Sequence, residues 1–164
     1  MQMTHFMSLL AKNQPWNLII FMAIPMIMIE TIAITEFSII FNQQTSGTLR
    51  LVNKIASIFI GFYFTGISIY LFKNVVIPLT QTGGWLTWVD VAAVVINLSG
   101  VFFLIPLALM ELGLIFKKKT EEEKIKIHFM LVSGFLVVGH IAMIFAMVDP
   151  SIISQTTGNM NMRM

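Results

Sequence analysis

The chain contains no cysteine, which removes disulfides, zinc knuckles, iron–sulfur clusters and thiolate nucleophiles. Charge is nearly as scarce. Only 11% of the 164 residues are Asp, Glu, Lys or Arg, against about 25% in a typical soluble domain. No HExxH, glycine-rich phosphate loop or GxSxG motif occurs, so zinc peptidase, nucleotide-phosphate and serine-hydrolase chemistry have no support. The expectation is a protein that is not an enzyme. The small excess of Lys and Arg, with a pI near 9.1, lacks a basic face interleaved with aromatics, so no nucleic-acid partner is expected.

What is present is apolar. Hydrophobic residues make up 57% of the chain and the mean hydropathy is +0.85, the composition of a protein embedded in a lipid bilayer. Four runs are long enough to cross a ~30 Å hydrocarbon core: residues 16–41, 51–72, 88–116 and 125–148. The predicted fold is an all-α, four-helix transmembrane bundle forming one domain. Loops are expected at 42–50, 73–87 and 117–124, with a methionine-rich tail at 151–164. Ahead of the first span, Thr4 followed by Phe6, Leu9 and Leu10 predicts an N-cap and a short interfacial helix. Pro15-Trp16 suits a first helical turn at the headgroup level. Pro25 and Pro106 interrupt the first and third runs, and a kink is expected at Pro25. The first run carries Glu30 and Glu36 and lacks a small-residue cleavage site, so it reads as a span and not as a cleavable leader.

Orientation follows from the basic residues. Arg50, Lys54, Lys117, Lys118, Lys119, Lys124 and Lys126 flank the first and third loops, whereas the opposite side holds Lys12, Lys73 and Arg163. The positive-inside rule places those two loops in the cytoplasm and both termini on the outer side.

The chemistry-bearing residues fall into two groups. Met22, Met26 and Glu30 descend the first helix at intervals of four; Met147, Met143 and His140 descend the fourth at four and three, so each set forms one stripe. If those helices are neighbours, thioethers, an imidazole and a carboxylate converge in the outer half of the bundle. Thioether and imidazole ligands suit Cu(I), with His5, Met3 and Met7 as accessory outer ligands. The bland alternative is that methionine fills gaps between helices and His140 finds a hydrogen-bond partner. The second group, Glu36, Glu111 and His128, sits toward the cytoplasmic rim within reach of Arg50, Lys54 and the Lys117–Lys119 run, where structural ion pairing is the expected role. Haem b is a lower-ranked cofactor, because no histidine occurs on the first three spans. It would need His5 folded back onto His140, or Met22 or Met26 opposite a histidine.

The run MTHFMSLLAKNQPWNLIIFMAIP ending at Pro25, the glutamates Glu30 and Glu36, and the closing HIAMIFAMVDP ending at Pro150 resemble a family of small bacterial four-span membrane proteins, some labelled permeases. The resemblance implies a multi-pass protein of the bacterial inner (cytoplasmic) membrane and brings no assigned chemistry. Three functional readings follow in order. The first is binding or movement of a soft metal ion, Cu(I) favoured, through the Met/His/Glu cluster. The second is a small membrane subunit of an electron-transfer or proton-translocating complex, with or without haem. The third is a scaffolding protein that packs partners through Gly61, Thr65, Gly66, Ser133 and Gly134. Four spans are few for a solitary transporter, so a homo-oligomer or a larger complex is expected.

Overall fold

A computed structural model describes residues 4–42 and 47–148. Met3, Asp149 and the tail at 151–164 lie outside the described residues. After a short α1 (His5–Ala11), four helices are each long and apolar enough to cross a membrane: α2 (Trp16–Asn42), α3 (Thr48–Thr82), α4 (Trp88–Glu111) and α5 (Glu121–Met147). Among the described residues there is no strand. The chain is a multi-pass membrane protein by the length and composition of its helices, and its surface agrees. Ile34, Phe37, Phe62, Phe102 and Ile144 are all exposed, as lipid-facing positions are.

Each spanning helix packs on two others: α2 on α3 and α5, and α4 on α3 and α5. The first and fourth spans are therefore neighbours in a closed antiparallel ring. Its middle is an apolar layer drawn from all four helices, with Ile29 and Ile32 of α2, Ile60 of α3, Leu104 and Leu107 of α4, and Val132 and Phe135 of α5. The approach of α3 to α4 depends on Gly61, where an added Cβ would lie 2.5 Å from Ala108 Cβ and 2.9 Å from the Leu104 carbonyl oxygen. Gly66, expected to serve the same purpose, has nothing within 4 Å of such a Cβ and faces open space. Gly134 does pack closely, against the ring of Phe103.

Three boundaries differ from those read in the sequence. The second span does not end at Lys73 and Asn74 but runs to Thr82, where Gly83 closes it at φ 63°, a conformation that glycine adopts without steric cost. A π turn at Phe72–Val76 carries the helix into Pro78, with the Ile77 N–H bonded to the Phe72 carbonyl. The same device precedes Pro25: a π turn at Ile19–Ala23 in which the Ile24 N–H bonds to the Ile19 carbonyl. A proline has no N–H and its ring crowds the carbonyl four residues back; the wider turn accommodates it, so the helix continues through Pro78, where an end was expected, and through Pro25, where a kink was expected. The third span stops at Glu111, where Gly113 (φ 71°) donates its N–H to the Met110 carbonyl and Leu114 donates to Leu109. The fourth begins earlier, at a capping box in which Thr120 and Glu123 exchange side chain–backbone hydrogen bonds.

The predicted N-terminal helix is present. Thr4 caps α1, accepting from the Met7 N–H, and its hydroxyl donates to the Ala146 carbonyl at 2.8 Å. Phe6 and Leu10 enter the core, where they meet Ile67 and Leu71 of α3, Val94 of α4 and Ala146 of α5. Helix α1 thus seals one end of the ring.

Candidate functional site

At the end of the bundle away from α1, each spanning helix contributes a polar side chain to one buried network. His128 of α5 stands at the centre with 1% of its side chain exposed. Its Nδ1 lies 2.7 Å from Glu36 Oε2 on α2. Its Nε2 lies 3.1 Å from Ser57 Oγ on α3 and 3.5 Å from Glu111 Oε1 on α4. Arg50 of α3 closes the network, its guanidinium 3.0 Å from the same Glu111 oxygen. Glu36 and Glu111 are buried, and the Arg50 side chain is one quarter exposed. The network therefore meets solvent through Arg50, while the layer of Ile32, Ile60, Leu107 and Val132 separates it from the other end.

Hydrogen bonding around Ser57 sets which nitrogen of His128 is the donor toward it. The Ser57 hydroxyl has one proton, and it donates that proton to the Asn53 carbonyl at 2.8 Å. Its oxygen is then the acceptor for His128, so Nε2 carries hydrogen. The 2.7 Å contact between Nδ1 and Glu36 needs one further proton between the two heavy atoms. With that proton present, an ionised Glu111 balances Arg50 and the Glu36–His128 pair is neutral overall. Without it the cluster keeps one uncompensated negative charge among four apolar helices, a costly state. Asn53 supports the arrangement from beneath, donating to the Ile32 carbonyl at 3.1 Å and Thr35 Oγ1 at 3.0 Å. Its own Oδ1 is buried with no hydrogen-bond partner among the described residues.

Near α1, Met22 and Met26 of α2, Met143 and Met147 of α5 and Met7 of α1 line one cavity of about 40 Å³, whose other polar lining group is Asn97. The expected convergence of the methionine stripes is present, with Met7 joining them. Glu30 and His140 do not join. Both are exposed and neither lines the cavity. His140 donates from Nδ1 to the Leu136 carbonyl one turn back on its own helix, at 2.7 Å. The cluster expected to centre on Glu30 and His140 is thus corrected: continuing a helical stripe past Met26 or Met143 carries it around the edge of the buried face. Gly139, not His140, lies against Met26.

His5 is also committed elsewhere. Its backbone N–H donates to Asp90 Oδ1 at 2.7 Å and its Nδ1 meets Asp90 Oδ2, so it latches α1 to the start of α4. Asp90 is completely buried. His5 is thus tied to Asp90 and His140 to Leu136. Among the described residues no three His, Asp or Glu side chains are grouped to hold a metal ion. The pairing of Arg50 with Glu111 and of His128 with Glu36 does match the reach inferred from their shared rim position. What sequence could not show is that the same imidazole touches both carboxylates.

The chain belongs to the family of unknown function DUF6803, which matches residues 1–162. No curated protein and no solved structure matches it.

Proposed function

We propose that this member of the DUF6803 family is a proton-handling protein of the bacterial inner membrane, acting within a permease-type transporter or a proton-translocating assembly. Both termini face outward and the Arg50–Glu111–His128–Glu36 network lies at the cytoplasmic end, as the basic residues beside it favour. The reading rests on one observation: a fully buried imidazole lies 2.7 Å from one buried carboxylate and 3.5 Å from a second. Ionisable side chains at membrane depth are costly and mark ion or proton pathways. Here they come from all four spanning helices, so gaining or losing the proton acts on every helix contact at once. The network reaches solvent at one end only, which suits a site loaded from one side and emptied after a change in helix packing. The role is binding and coupling, not enzymatic catalysis, and four spans favour work as an oligomer or beside a partner subunit.

Infrared difference spectra of the detergent-solubilised protein across a pH change test this directly. The wild type is expected to show a buried carboxyl band that Glu36→Gln removes and His128→Gln shifts. Identical spectra for wild type and both variants would refute the reading.

A further inference from the structure

We propose that the methionine-lined cavity beneath α1 is a binding site for one soft monovalent cation, Cu(I) or its analogue Ag(I), held by thioethers alone. Five methionines from three separate helices meet at one void, and its size and chemistry restrict the occupant. A volume of about 40 Å³ exceeds the ~10–15 Å³ that a single water requires, so the void has room for one ion. Water, however, needs two to four good polar partners, and among the described residues Asn97 is the only polar side chain on the wall. A hard cation such as Mg²⁺ or Ca²⁺ requires an oxygen cage, which the lining lacks. Thioether sulfur is a soft donor that selects Cu(I) among biological metals, and a monovalent ion places the least charge in an apolar wall.

Local backbone supports the assignment. Met22 lies within the π turn Ile19–Ala23, and single π turns in helices occur frequently at functional sites. Pro25, also on the wall, is the residue that requires the wide turn. The flexible, unbranched methionine side chain can move its sulfur toward an ion without disturbing the helix. Met147 is 62% exposed and lies at the rim. Met22, Met26 and Met143 are half-buried and form the inner set. Helix α1 closes the site with Phe6, Met7 and Leu10, held by the His5–Asp90 latch. None of these residues belongs to the buried proton network, so either proposal can fail alone.

The test is Ag(I) and Cu(I) titration of the full-length protein in detergent against a competing chelator, with sulfur coordination read by X-ray absorption. Wild type is expected to bind one ion with a sulfur-only first shell. Met22→Leu/Met26→Leu/Met143→Leu, which nearly conserves volume, is expected to lose at least tenfold in affinity while keeping the wild-type circular dichroism and thermal midpoint. His140→Ala is expected to bind as wild type does. Absence of binding, nitrogen or oxygen in the first shell, or unchanged affinity in the triple variant would each overturn the proposal.

Discussion

Glu36 and His128 meet at 2.7 Å in the interior, although 92 positions separate them in the chain. The contact joins the first and last spanning helices. Removing one member leaves the other as a buried, unmatched polar group. Truncation of one partner of a buried ion pair typically costs about 3–5 kcal/mol. His128→Ala and Glu36→Ala should each lower the unfolding free energy in mild detergent by such a margin. The double substitution Glu36→Ala/His128→Ala should cost clearly less than the sum. Additive losses in a double-mutant cycle would show that the two side chains act separately.

Glycine at 61 and glycine at 66 should respond in opposite ways. A methyl group at 61 would overlap Ala108 and the Leu104 carbonyl, and overpacking of this kind costs about 1–3 kcal/mol. Gly61→Ala should therefore destabilise the protein. Gly66→Ala meets nothing and should gain up to about 1 kcal/mol of helix propensity. Chemical unfolding of the two variants side by side distinguishes them.

The latch on α1 predicts local effects. Asp90→Asn keeps the shape but withdraws the charge facing His5, and Thr4→Ala removes the hydroxyl that donates to Ala146. Both changes should raise amide hydrogen exchange over His5–Ala11 severalfold while leaving the middle of α3 protected. Exchange that rises equally in both regions would mean that α1 is part of the global unfolding unit rather than a separable cover.

His140 is predicted to be nearly silent. Its ring bonds to a carbonyl of its own helix and faces outward, so His140→Ala should change stability by no more than about 0.5 kcal/mol. It should also leave the infrared signature of the buried carboxyl untouched. A large loss in either measurement would place a partner against that surface.

The cap at the start of α5 is the last local test. Thr120→Ala removes the acceptor for the Glu123 N–H, and loss of such a cap costs about 0.5–2 kcal/mol. The melting midpoint should fall modestly, with the pairing of His128 to Glu36 intact.

The number of spans, the presence of α1 and the set of residues able to carry charge were legible from the chain itself. They depend on local quantities: run length against bilayer thickness, an N-cap before apolar residues, and ionisable groups within apolar runs. Thr120-x-x-Glu123 was a further readable signal for the true start of α5. The helix continuing past Asn74 was not readable, because Pro78 ordinarily marks an end, and a π turn absorbs it only when the backbone can widen there.

The division at the two candidate sites has the same origin. Periodicity placed Met22 with Met26, and Met143 with Met147, and the cavity contains all four. Periodicity alone could not show where the buried face of α2 ends, so it carried Glu30 and His140 into a site from which they are absent. For Glu36, Glu111, Arg50 and His128, composition and depth established that charges lie near one end of the bundle. That one imidazole bridges two carboxylates depends on the relative rotation of four packed helices. Residues far apart in sequence determine that rotation, including the close contact of Gly61 with Ala108, and only the tertiary structure decides it.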